Sequence, residues 1–151
     1  LLSQAPELPD TLFEAADLFQ GHLHRVKGDA HCAIHACDAI VTASGTVTLE
    51  MALLNRPMVV IYRMAPLSYA ILSRLIKTRW ISLVNIVAEG EVVPELLQDQ
   101  AAAETILQQL QPLLQQSPER EAMLQGLEQV RSTLGEGHSA ARLAELVEGM
   151  I

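Results

Sequence analysis

The chain has 151 residues, half of them hydrophobic and 19% charged, which excludes disorder over most of its length and fits about one domain. Aromatic residues make up only 3%, and Cys32 and Cys37 are too few for a disulfide framework, so an aliphatic core and a reducing compartment are expected. A net charge of −8 argues against a nucleic-acid partner, and no apolar run approaches the ~18–20 residues of a membrane span. The opening Leu1-Leu2-Ser3 lacks an initiator Met and starts within a pattern, from which a piece of a longer polypeptide is expected.

In chain order, residues 1–5 read as the end of a strand stopped by Pro6. Asp10 can cap a helix over 11–19, with Leu12, Phe13, Ala16 and Phe19 at helical spacing and Gly21 after it. Residues 22–27 form a short extended stretch, and Asp29 caps a second helix running to Cys37. Residues 38–43 read as a buried strand broken by Ser44-Gly45, followed by a helix over 46–54 that Asn55 ends before Pro57. The wholly apolar run 58–62 predicts a central strand. Pro66 opens a helix to Lys77, residues 80–87 read as another strand, and Pro94 starts a short turn to Leu97. Beyond it only helices are expected, over 101–116, 119–134 and 139–150. Strand–helix alternation of this kind predicts an α/β, Rossmann-like parallel sheet over 1–100, followed by a helical tail over 101–151.

Charge is distributed unevenly along this pattern. Between Glu50 and Glu89 the sequence has no acid but carries Arg56, Arg63, Arg74, Lys77 and Arg79. Such a segment suits a small anion or an anionic surface, and equally a solvated basic face. The strand–turn–helix of residues 38–54 leads into it. Ligands of open parallel sheets sit beyond the carboxyl ends of the strands, where Ser44-Gly45-Thr46 falls. Gly45 lets a ligand approach the backbone, and free N–H groups at a first helical turn favour phosphate. Glu50, four residues after Thr46, shares its helix face and can accept hydrogen bonds from a ribose diol. The same residues also fit a plain turn glycine and an exposed helix glutamate.

The run Ala43-Ser44-Gly45-Thr46-Val47-Thr48-Leu49-Glu50 closely resembles the donor-site motif of the lipid-A-disaccharide synthases. Three further segments match that family in order: Pro57-Met58-Val59-Val60-Ile61-Tyr62-Arg63, then Ile81-Ser82-Leu83-Val84-Asn85-Ile86 after Leu75-Ile76-Lys77-Thr78, then Val92-Val93-Pro94-Glu95-Leu96-Leu97-Gln98. The resemblance covers about residues 22–100 and, weakly, the tail. It implies the C-terminal, donor-binding domain of a GT-B glycosyltransferase. That enzyme joins UDP-2,3-diacylglucosamine to the lipid monosaccharide 2,3-diacylglucosamine 1-phosphate, releasing UDP. By position, Ser44, Gly45 and Thr46 are expected at the diphosphate, Glu50 at the ribose, and Asn85 and Gln98 along the same cleft. The acceptor site and general base are expected in an N-terminal domain outside this chain, so no residue here is assigned a catalytic role, and no cofactor is implied. Residence on the cytoplasmic face of the bacterial inner membrane, as a peripheral protein, is expected with the lipid substrates. Val84 stands where the family commonly has proline, from which a looser loop before Asn85 is expected. Glu89-Gly90 replace a Gly-Arg pair, removing a cation near the cleft. Alternatives of other kinds are a non-catalytic UDP-sugar-binding module and another UDP-GlcNAc-handling GT-B enzyme such as a 2-epimerase.

Two other constellations carry weaker signals. His31, Cys32, His35 and Cys37 have spacing that can bind zinc, with His22 and His24 as further ligands, but free cysteines commonly serve as small buried apolar residues. The apolar face of residues 67–76, with Arg74, Lys77 and Arg79 at its C-terminal end and Trp80 beyond, fits a core helix with its cations at the favourable end of the dipole. It also fits contact with a membrane surface.

Overall fold

Parallel strands need crossover connections rather than tight turns, and the strand pairs among the described residues are all parallel. A computed structural model describes residues 2–4, 25–27, 30–65 and 79–135, in two compact units, Leu1–Cys37 and Asp38–Ile151. In the first unit, β1 (Leu2–Gln4) and β2 (Arg25–Lys27) pair in parallel, with Ser3 opposite Val26. Helix α1 (Ala30–Ala36) packs on both strands and buries Ala33 and Ile34. The thiol of Cys37 donates to the Ala33 carbonyl at 3.1 Å. The helix expected over 11–19 lies outside the described residues.

The second unit is built on a three-stranded parallel sheet of order β3 (Ile40–Ala43), β4 (Met58–Tyr62), β5 (Glu95–Leu97). The apolar run 58–62 is the central strand, as its composition predicts, and Met58, Val59 and Val60 are almost fully buried. Strand β3 is not the buried strand expected. It lies at the edge of this sheet, with Val41 and Ala43 exposed and Ile40 and Thr42 half-buried. Helix α2 (Val47–Leu53) follows β3 and stops where Asn55 takes a left-handed φ of 51°.

Two expected elements are corrected between β4 and β5. The strand expected over 80–87 is helix α3 (Leu83–Ala88). The Ser82 side chain accepts the Asn85 N–H at 3.3 Å, an N-cap that starts a helix in an apolar run too short for its periodicity to discriminate. Glu89, in the left-handed conformation, ends the helix, with the Gly90 N–H donating to the Asn85 carbonyl. Val84 is thus a fully buried helical residue rather than part of a loosened loop. The turn expected over 94–97 is strand β5. Pro94 can stand at its start because the strand needs only the proline carbonyl, which accepts the Val60 N–H at 2.9 Å.

The tail residues that are described pack onto this unit. Helix α4 (Ala103–Leu113) lies against β3 and β4, and α5 (Pro118–Gly135) against α2 and α3. Pro118 occupies the first helical position of α5, Glu119 and Glu121 its first turn, and the Ser117 hydroxyl accepts the Arg120 N–H. Met123, Leu127 and Val130 recur at helical spacing on the buried side. Gly126 allows the closest approach: a Cβ there would stand 2.7 Å from Val92 Cγ1. The helix expected over 139–150 lies outside the described residues.

Candidate functional site

Because all three strands of the second unit run the same way, their carboxyl ends open onto one edge of the sheet. Ala43 is level with Ile61, Ile61 with Leu96, and Tyr62 with Leu97. The first residues past the strands are therefore Ser44, Arg63 and Gln98. This edge is the location from which open parallel sheets bind ligands, and it carries four of the six sequence-derived candidates within residues 44–46 and 98.

The turn from β3 to α2 is shaped by Gly45, whose φ of 150° disfavours any side chain, although a Cβ would meet nothing within 4 Å. The approach to its backbone is thus open. Its carbonyl accepts the Thr48 N–H at 3.1 Å and the Thr48 hydroxyl at 2.8 Å, and Thr48 is fully buried. Thr46 is exposed and makes no side-chain cap, leaving its hydroxyl available. Glu50, also exposed, sits one turn further along α2.

The other candidates are already engaged with the protein. The Ser44 hydroxyl donates to the Ile81 carbonyl at 3.1 Å. Gln98, with a left-handed φ of 51°, accepts the Met64 N–H on Oε1 at 3.1 Å and so ties the end of β5 to the segment leaving β4. Asn85 is fully buried in α3. Its Nδ2 donates to the Val93 carbonyl and to Glu95 Oε1, each at 2.8 Å. Its Oδ1 accepts the N–H groups of Val92 at 2.8 Å and Val93 at 3.0 Å. That accounts for both donors and both acceptor sites of the amide. Asn85 therefore organises the loop between α3 and β5 from inside.

Sequence reasoning overlooked Glu95 and Ser82. Glu95 accepts the N–H groups of Ile81 and Ser82 and the Ser82 hydroxyl, besides Asn85. Ser82 is a residue type favoured at helix N-caps and bonds the Asn85 N–H here, whereas nothing local marks Glu95, whose partners lie 10–14 residues away. Arg63 is exposed at the same edge. A shallow depression on α5, lined by Gln125, Glu128, Gln129, Ser132 and Thr133, contains none of the candidate residues. Among the described residues no three His, Cys, Asp or Glu side chains gather as a metal site, and His31 and His35 are exposed. No described helix is long and apolar enough to cross a membrane. The Arg79 guanidinium lies 5.1 Å from the Trp80 ring centroid, while the preceding segment 66–78 falls outside the described residues.

Fold and site together define an α/β, Rossmann-like parallel unit with a glycine turn open at its carboxyl edge, followed by helices. Comparison with known proteins makes the class specific. A family model described as lipid-A-disaccharide synthetase matches residues 6–147. Relatives include the lipid-A-disaccharide synthase of Pseudomonas putida strain W619, 56% identical over 87 residues, which are 58% of this chain and 23% of that protein. The synthase of Pseudomonas fluorescens strain Pf-5 is 45% identical over 124 residues, 82% of this chain and 32% of the relative. That of Acidobacterium capsulatum is 41% identical over 128 residues, with 83% and 32% covered. The chain belongs to the lipid-A-disaccharide synthetase family. It spans about a quarter to a third of the length of these relatives.

Proposed function

We propose that this chain is the donor-binding portion of a glycosyltransferase that makes lipid A disaccharide 1-phosphate. The observation that carries the reading is the family match over residues 6–147, which spans the glycine turn and every candidate residue. It favours a synthase over a non-catalytic UDP-sugar module or a 2-epimerase. In the proposed reaction a hydroxyl of 2,3-diacylglucosamine 1-phosphate attacks the anomeric carbon of UDP-2,3-diacylglucosamine. The bond from that carbon to the diphosphate breaks, UDP leaves with the electron pair, and the hydroxyl proton passes to a base outside this chain.

On the donor side, the diphosphate lies against the open backbone of the 44–46 turn, with the exposed Thr46 hydroxyl as a further donor. Glu50 receives the ribose diol. Gln98 borders the same edge and holds the chain beyond β4 in place, and Arg63 adds a cation there. Asn85 contributes by fixing the 92–95 loop. The acceptor-binding half belongs to the remainder of the relatives' length, and the acylated substrates favour a peripheral position on the cytoplasmic face of the inner membrane. The domain division proposed is a nucleotide-sugar-binding part over 1–100 and a helical tail over 101–151.

Calorimetry with UDP and a turnover assay with both acylated sugars test this reading together. Saturable 1:1 UDP binding without disaccharide formation is expected, because proximity to an acceptor and its base contributes ~7–11 kcal/mol to such barriers. Absence of UDP binding by the folded chain, or disaccharide made by these 151 residues alone, refutes it.

A further inference from the structure

We infer that Glu95 is a positioning residue for the donor turn, holding the 44–46 segment through Ile81. The inference rests on the donor-binding reading above. Glu95 is the first residue of β5, and its carboxylate takes four hydrogen bonds from one neighbouring segment. Oε2 accepts the Ile81 N–H at 2.8 Å. Oε1 accepts the Ser82 N–H at 2.9 Å, the Ser82 hydroxyl at 2.7 Å and Asn85 Nδ2 at 2.8 Å. On the other side of the same residue, the Ile81 carbonyl accepts the Ser44 hydroxyl at 3.1 Å. Glu95 and Ser44 are therefore joined through a single residue, gripped by its N–H from one strand end and by its C=O from another turn.

The donor inventory explains why a carboxylate serves here. Four donors converge on one side chain, and only an ionised carboxylate offers acceptor sites for all of them without bringing a donor of its own. Capping of α3 does not require it, since Ser82 already accepts the Asn85 N–H. Glu95 adds the placement of Ile81. The Ser44 hydroxyl has one proton, and that proton is committed to Ile81, so Ser44 can aid an anion only by fixing the turn whose backbone N–H groups face it. Displacing Ile81 thus displaces the turn.

Glu95→Gln tests the link because it keeps the shape but sets an NH2 group against one of the converging donors. Amide hydrogen exchange at Thr48 and Leu49, whose N–H groups donate to the Gly45 and Thr46 carbonyls, should accelerate about tenfold, with the α5 amide of Val130 unchanged as the internal standard. UDP affinity should fall about tenfold, the scale of one charge-assisted hydrogen bond. Ser44→Ala should cause a similar loss, and the double variant should lose no more than the worse single variant, since both break one chain of contacts. Parent-like exchange at Thr48 and Leu49, losses that multiply in the double variant, or faster exchange spread equally to α5 would each overturn the inference. If the parent chain does not bind UDP, the donor-binding reading fails, while the exchange measurement still decides whether Glu95 governs the turn.

Discussion

Replacing Asn85 by alanine should unfold the loop that enters β5 more than any ligand-facing change would. The side chain is fully buried and makes four hydrogen bonds, to Val92, Val93 twice, and Glu95. Three of these are neutral bonds of ~1 kcal/mol each and the fourth, to a carboxylate, is ~1.5–3 kcal/mol. One water entering the vacated space would re-satisfy some of the stranded groups. The net loss should then be about 3–5 kcal/mol, a large share of the ~5–15 kcal/mol available to a domain. Urea denaturation should show this as a lower midpoint with an unchanged slope. Asn85→Asp should be worse still, since it sets a second carboxylate against Glu95 Oε1. A loss below ~1 kcal/mol for Asn85→Ala would refute the claim that this amide holds the loop.

Glu50→Ala should leave the urea midpoint unchanged, because the side chain is exposed, yet weaken UDP binding by ~1.5–3 kcal/mol. A 2′,3′-dideoxyribose analogue should show no such loss, and equal losses for both ligands would show that Glu50 does not read the diol. Gly45→Val should destabilise the turn by ~1–3 kcal/mol through its backbone conformation, not through crowding, since the space around a Cβ is open. Calorimetry should find its UDP binding weakened as well, and parent-like affinity would count against the turn as the diphosphate site. Gly126→Ala should cost ~1–3 kcal/mol by thermal denaturation, because its Cβ would press on Val92 at 2.7 Å.

Where the fold follows from local signals, the sequence was enough to read it. The apolar run 58–62 identified the central strand, and Pro118 with its following acids identified the start of α5. Residues 80–87 misled because a short apolar run fits a strand as well as a buried helix, and the Ser82 cap that decides between them is a single side-chain bond. Strand β5 was hidden behind Pro94 for a similar reason: its pairing with Val60 is a long-range fact. At the site, the turn glycine was legible from a strand–turn–helix pattern, and so was the placement of Glu50 one turn beyond it. The engagement of Ser44 with Ile81, of Gln98 with Met64 and of Asn85 with its loop was not, because each partner lies elsewhere in the sequence. Residue type shows that a side chain can bind a ligand; only tertiary structure shows that its hydrogen bonds are already used.

The donor-binding claim is tested most directly by titrating UDP into the isotopically labelled chain and following backbone amide resonances. The account predicts saturable shifts centred on residues 44–50, extending to Arg63 and Gln98 along the same strand-end edge, with the α5 amides at rest. A chain whose β4 and α5 resonances are those of a folded protein, but whose 44–50 amides do not move at saturating UDP, would contradict it.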